Sequence, residues 1–291
     1  MKKSTGDLVT TSRPSILVNG TGFYHTVAPP TYAEYDVSQV VNVKDVAAHP
    51  VAGDGSTDDT ASLQAILNDA ATKGQVAYFP HGIYILTDTL LIPPGSRLFG
   101  ESFTELSGSG SKFKDAKNPK PIIKVGSPGD VGVAQFTDFI FTVADVLPGA
   151  IIIEVNMAGD KPGSVGAFNC HFRIGGGKGT KTSACKDMKT CNAVHIAAHF
   201  TASSSVYWEN SWAWTADHDL DGGGFGSYPT PAGGFLIESQ KGTWMVGLGA
   251  GKYILSISQD HSTHKSFHRA FRSLPSYRER CEKCFHWPSA G

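Results

Sequence analysis

After residue 75 the chain offers no amphipathic helix of ordinary length, only short runs rich in Val, Ile and Phe, each closed by Gly, Pro, Asn or Asp. They begin with Val76-Ala77-Tyr78-Phe79, Ile83-Tyr84-Ile85-Leu86, Thr89-Leu90-Leu91-Ile92 and Ser96-Arg97-Leu98-Phe99-Gly100. Others follow near 121–125, 135–143, 150–155, 165–174, 193–200, 204–209, 233–238 and 243–247. Runs of this length and closure read as strands. So many strands need their edges covered. A coil of parallel strands does this by stacking each turn on the next, so that only two ends remain to be closed. One helix is available for an end: Leu63, Ile66, Leu67 and Ala70 share a face, Thr57 or Asp58 can cap its first turn, and Gly74 ends it. A β-sandwich is the alternative, because sequence repetition is too weak to decide alone.

The composition agrees with a turn-rich all-β chain. There are 33 glycines in 291 residues, scattered between the runs. Net charge is −1, which argues against nucleic acid as a partner. No apolar run reaches transmembrane length, which argues against a membrane span. Met1-Lys2-Lys3 is followed by no apolar stretch of signal-peptide length, so the chain as written reads as cytoplasmic. Of the five cysteines, Cys185 and Cys191 can close a small disulfide loop and Cys170 reads as a buried thiol. Asn19-Gly20-Thr21 is an N-glycosylation sequon, relevant only in a secreted protein.

Three regions follow. Residues 1–39 read as an extended arm or linker, 40–249 as the β domain, and 250–291 as a tail of different character. That tail carries seven Lys or Arg against three Asp or Glu, and four of the eleven histidines. It is expected to be disordered.

Val43-Lys44-Asp45-Val46 with Gly53-Asp54-Gly55-Ser56-Thr57-Asp58-Asp59-Thr60, and Tyr78-Phe79-Pro80-His81-Gly82-Ile83-Tyr84, resemble the opening of pectate-lyase-like β-helix domains. A narrower likeness lies in Arg13–Gly22, Pro29–Ala33, Gly129–Gln135, Pro148-Gly149-Ala150, Trp212–Asp221 and Gly234–Ser239. These stretches resemble glycoside hydrolase family 55, the fungal exo-β-1,3-glucanases, in the second of their two β-helix domains. The resemblance implies a single-stranded right-handed parallel β-helix with an N-terminal capping helix near 58–72. At roughly 22–28 residues per turn, residues 75–249 make about seven turns. It further implies secretion, a β-1,3-glucan substrate, an inverting hydrolysis without cofactor, and a first β-helix domain as partner. On this reading the chain is truncated at both ends.

The resemblance places Trp214, Asp217 and Asp219 in the sugar pocket. Trp offers a flat face to a pyranose ring, and carboxylates accept sugar hydroxyls. The competing reading is that Trp212 and Trp214 point the same way along a strand and that one or both are core. No catalytic residue is carried over. Where the family has a Ser-Glu-His-type motif after Gly247-Leu248-Gly249, this chain reads Ala250-Gly251-Lys252-Tyr253-Ile254, as translated intron or out-of-frame sequence would.

Other acids and thiols have plainer explanations. Asp54, Asp58 and Asp59 suit turn and helix-cap roles. Glu238 suits a hydrogen-bonded rung position. No metal is expected: Asp217-Asp219-Asp221 lacks the glutamate and flanking helices of a calcium loop, and Cys281-Cys284 with His286 lacks a second cysteine pair. The expected function is a glucan exo-1,3-β-glucosidase-like domain, inactive in this chain for want of the catalytic glutamates. The alternatives are a non-catalytic carbohydrate-binding β-helix and a truncated gene product with no function of its own.

Overall fold

The computed structural model describes residues 13–177, 185, 191–216, 218, 229–250 and 257–258. Compact clustering divides the chain after Gln259, and all the described residues lie in the first unit. Within it, the strands form a coil with three limbs per turn. The first limb holds β1 (Val40–Asn42), β3 (Val76–Phe79), the leading halves of β6 (Ser96–Gly108) and β8 (Ala134–Val143), β10 (Val165–Phe168), and the leading halves of β13 (Val206–Thr215) and β15 (Thr243–Ala250). The second holds β2 (Asp54–Asp58), β4 (Ile83–Leu86), β11 (His171–Ile174) and the trailing halves of the long strands. The third is a separate sheet of β5 (Leu90–Ile92), β7 (Lys120–Val125), β9 (Leu147–Val155), β12 (Asn192–Phe200), β14 (Thr230–Ile237) and β16 (Ile257–Ser258). Every ladder among these strands is parallel. The fold is therefore a parallel β-helix.

One inward column counts the turns. Ala77, Leu98, Phe136, Ala167, Trp208 and Met245 stand in register on successive strands of the first limb. Val41 of β1 stands in register with Ala77 ahead of them, so the described column has seven rungs, six of them within 75–249, where the spacing rule predicts about seven. The steps from Ala77 onward are 21, 38, 31, 41 and 37 residues, because excursions at the corners lengthen all but the first of these turns.

The helix α1 (Thr60–Lys73) stands below the first turn. It buries Leu63, Ile66, Leu67 and Ala70, and packs against β3, β5 and β6. Asp58 Oδ1 accepts from the Thr60 N–H at 3.0 Å and so caps its start. Gly74, at φ 66°, ends it in the left-handed conformation that glycine adopts without strain. Asp59 turns the other way, and its two oxygens take the N–H groups of Ala52 and Gly53. Asp54 closes its own turn by accepting from Ser56 and Thr57. The three acids thus serve caps and turns.

The core is a continuous aromatic column. Phe139, Phe141, Phe172, Trp208, Phe200 and Phe235 are buried, with neighbouring ring centroids 5.3–6.4 Å apart.

Two features position the outer surface. The first is the corner between the first and second limbs. Asp138, Asn169 and Asn210 occupy it on successive turns with φ of 64°, 54° and 51°, and Gly247 follows at φ 65°. Asn and Asp tolerate this region better than other side-chain-bearing residues. Asn169 Nδ2 donates to Asp138 Oδ1, and Asn210 Nδ2 donates to Asn169 Oδ1 at 2.9 Å, so the corner carries a side-chain ladder.

The second feature is the arm. Its described part, from Arg13, crosses the outer face of the first limb from the last turn back to the first. Trp244 Nε1 donates to the Leu17 carbonyl at 3.0 Å, the Val27 N–H donates to Tyr207 Oη at 3.3 Å, and Tyr35 lies over the Arg97 guanidinium at 5.6 Å. Leu17, Phe168, Tyr207 and Trp244 form a second apolar cluster beneath it. Burial under this cover holds the Tyr32 hydroxyl far above the usual phenol range.

Candidate functional site

On the second limb, strand alternation sends Ser211, Ala213 and Thr215 inward and Trp212 and Trp214 outward. Parallel register then sets their neighbours. Arg173 is in register with Trp214, Glu105 with Ile140, and Ile140 with His171. The outer face of this limb therefore brings together Phe103, Glu105, His171, Arg173, Trp212 and Trp214, drawn from three strands.

The two tryptophans have different surroundings. Their rings stack at 5.3 Å and 20°, yet Trp212 is 48% exposed and Trp214 only 7%. Trp214 is covered on its far side by His218, 5.3 Å away, and by the backbone at Gly176. The sequence reading gave the sugar platform to Trp214. The structure places an open ring at Trp212 and sets Trp214 behind it as support. Asp217 and Asp219, the carboxylates named with Trp214, lie outside the described residues.

Neighbouring groups fix the platform. The backbone N–H of Trp212 donates to His171 Nδ1 at 2.9 Å. A lone pair on that nitrogen requires an uncharged imidazole, and burial does hold the His171 pKa below its ordinary value. Phe103, 41% exposed, lies 5.2 Å from the His171 ring, so a second open ring stands on the same outer face. Arg173 Nη2 meets both oxygens of Glu105 at 2.7 Å, and both side chains are largely buried. This pair neutralises the charge under the platform. The result is one open indole face beside a neutralised ion pair, with the Phe103 ring on the same outer face, a surface suited to the C–H face of a sugar ring.

Sequence reasoning named Trp212 only as a neighbour of Trp214 on one face, and did not single out His171 or Phe103. Alternation put both tryptophans on one face, but which of them is covered depends on chain returning over Trp214 from elsewhere.

The remaining sites named from sequence fall apart in space. Cys185 and Cys191 form a disulfide with Cα atoms 5.6 Å apart. Cys170 is a buried thiol, its pKa pushed up to about 12 by desolvation. Asn19 lies in the arm, where its Oδ1 accepts from Thr21 N and Oγ1 and from Phe23 N. Glu238 directly follows β14 of the third sheet. Its Oε2 is 2.7 Å from His199 Nε2, while Glu154 Oε2 is 3.4 Å from His199 Nδ1. Among the described residues no group of three or more His, Cys, Asp or Glu is arranged to hold a metal ion. No described helix is long and apolar enough to cross a membrane. The tail named from sequence lies outside the described residues, apart from Ala250, which ends β15, and Ile257–Ser258, which form β16.

A family model described as rhamnogalacturonase A/epimerase, pectate lyase-like, matches residues 40–118, which include β1 and α1. A protein of Arthroderma benhamiae named probable glucan endo-1,3-beta-glucosidase is 38% identical over 247 residues, covering 81% of this chain and 28% of that protein. One of Trichoderma harzianum, named glucan endo-1,3-beta-glucosidase BGN13.1, is 42% identical over 214 residues, covering 71% and 28%. One of Penicillium expansum, named non-secreted LysM effector LysM15, is 39% identical over 234 residues, covering 78% and 16%. The chain thus spans under a third of the length of each. Over that span it is a homologue of the fungal proteins named glucan 1,3-β-glucosidases, and its domain is pectate-lyase-like.

Proposed function

We propose that this chain binds β-1,3-glucan on the Trp212 face and does not hydrolyse it. The observation that carries the reading is the Trp212 ring itself, 48% exposed, stacked on Trp214 and held through its backbone N–H by His171, in a chain homologous to named glucanases. An inverting hydrolase needs two carboxyl groups about 6.5–9.5 Å apart, one to protonate the leaving oxygen and one to activate water. Glu105, a carboxylate on this face, is engaged by Arg173 on both its oxygens. After Gly249 the sequence supplies Ala250-Gly251-Lys252-Tyr253-Ile254, with no carboxylate. Both points support binding without turnover.

Affinity electrophoresis in laminarin gels, paired with a reducing-sugar assay on laminarin, tests the reading. Retardation without sugar release is expected, and Trp212→Ala should abolish the retardation. Glucose release would restore the exo-acting hydrolase reading, and release of short oligomers an endo-acting one. Migration unaffected by laminarin would overturn glucan binding.

A further inference from the structure

We propose that a groove along the first limb is a second saccharide subsite, so that a glucan chain seated on Trp212 continues around the corner into it. The proposal rests on the glucan reading and adds a ligand-binding surface to it.

The groove has a volume of about 700 Å³. Its floor is the outward column of the first limb, in which Phe99, Thr137, Phe168, Glu209 and Val246 follow one another in register. Five adjacent strands at about 4.8 Å spacing give a length of about 19 Å. A trough of that shape suits a chain ligand better than a single small molecule. Its wall is the arm at Pro29-Pro30-Thr31.

The opposite edge is polar and periodic. Asp138, Asn169 and Asn210 line it at one-strand intervals. The ladder between them uses one N–H of each Asn amide, one carbonyl lone pair of Asn169 and one oxygen of Asp138. Each Asn keeps a second N–H, and Asp138 keeps a second oxygen. The edge thus offers donors and acceptors at a regular repeat, as a ligand with repeating hydroxyl groups requires.

The groove also joins the platform. Asn210 and Trp212 are two residues apart on β13, on either side of the bend at the corner. The corner at Asn210 is therefore the shared border of the two surfaces.

Chain-length dependence tests the proposal. Laminaritriose and laminarihexaose are titrated calorimetrically into the full chain. The hexasaccharide should bind about tenfold or more tightly than the trisaccharide, through contacts the shorter ligand cannot reach. Val246→Trp fills the groove at a position 42% exposed, and Asn210→Gly removes the amide at a φ that glycine accepts. Each should bring the hexasaccharide to within about twofold of the trisaccharide and leave trisaccharide affinity unchanged. Equal wild-type affinities for the two lengths would overturn the subsite while leaving the Trp212 reading intact. So would an undiminished length dependence in both variants. Failure of either saccharide to bind the wild type would overturn both readings.

Discussion

Asn169 is the member of the corner ladder bonded on both sides, and its replacement separates backbone strain from side-chain bonding. The residue sits at φ 54°, donates to Asp138 and accepts from Asn210. Asn169→Ala loses both bonds and puts a Cβ into a conformation that costs most residues about 1–2 kcal/mol. The bond to Asn210 is neutral and contributes about 1 kcal/mol, and the bond to Asp138 is charge-assisted and contributes about 1.5 kcal/mol at this half-exposed position. Part of the backbone strain is already present with Asn, so the total loss is about 3 kcal/mol. Asn169→Gly loses the same bonds but not the steric strain. Its greater freedom in the unfolded chain costs about 0.5–1 kcal/mol, so it should be better than Ala by about 0.5–1 kcal/mol. Gly247 fills the equivalent corner in the last turn at φ 65°, which shows that glycine suits the position. Urea unfolding followed by tryptophan fluorescence measures all three proteins. Stabilities for both variants within about 0.5 kcal/mol of the wild type would refute the bonding argument, and an alanine variant equal to or better than the glycine one would refute the strain argument.

Two further perturbations reach the core and the third sheet. Phe141→Ala removes a fully buried ring that touches Phe136, Phe139, Phe172 and Trp208, and should cost about 3–5 kcal/mol in the same urea titration. His199, between Glu154 and Glu238 with Lys124 in register beyond Glu154, has its pKa raised by its hydrogen bonds to Glu154 and Glu238, whereas the Glu154 pKa is lowered chiefly by its bond to His199. The histidine's contribution is then complete below its unfolded pKa of about 6.5 and lost as pH rises through its higher folded value; that of Glu154 is complete above about 4.3 and lost as pH falls through its lower folded value. Melting temperature should therefore peak between about pH 4.5 and 6.5, and His199→Gln should flatten the alkaline side of that peak; an unchanged profile in the variant would refute the pairing.

The parts of the fold that were legible in sequence were the local ones. The helix face at Leu63, Ile66, Leu67 and Ala70, the cap at Asp58 and the stop at Gly74 depend on residues a few positions apart, and each is where the local pattern puts it. Strand existence was equally legible, because Gly, Pro and Asn mark the ends of each run. The number of turns was not. It depends on how much chain leaves the coil at each corner, and a polar excursion such as 126–133 looks the same in sequence whether it spans a corner or a whole rung. The candidate site fared similarly. Local alternation put Trp212 and Trp214 on one face, but the exposure of each is set by His218 and Gly176, which reach Trp214 from separate excursions. His199 and Glu238 are 39 residues apart, and Asn169 and Asn210 are 41 apart, so neither pairing follows from spacing alone.

The same geometry accounts for where an open aromatic face can exist at all. A three-limbed coil has three outer faces, and outward apolar residues on any of them need cover or a partner. On the first limb the cover is the arm, which lies over Tyr207, Phe168 and Trp244 and leaves the 700 Å³ groove between Pro29 and the corner. On the third sheet the outward row runs Leu91, Lys124, Glu154, His199 and Leu236, with charged groups at its centre. The second limb has Arg173 and Glu105 paired flat against it and two tryptophans standing out, one supported and one open. The Trp212 ring packs one face on Trp214 and leaves the other in water, where apolar surface is unfavourable. Its stacking partner Trp214 and the His171 contact to the Trp212 backbone hold it in one orientation, which lowers the entropy a ligand must spend to stack there. That preorganisation ties the Trp212 face to binding more firmly than exposure alone, since a ring serving only the fold would gain by turning inward.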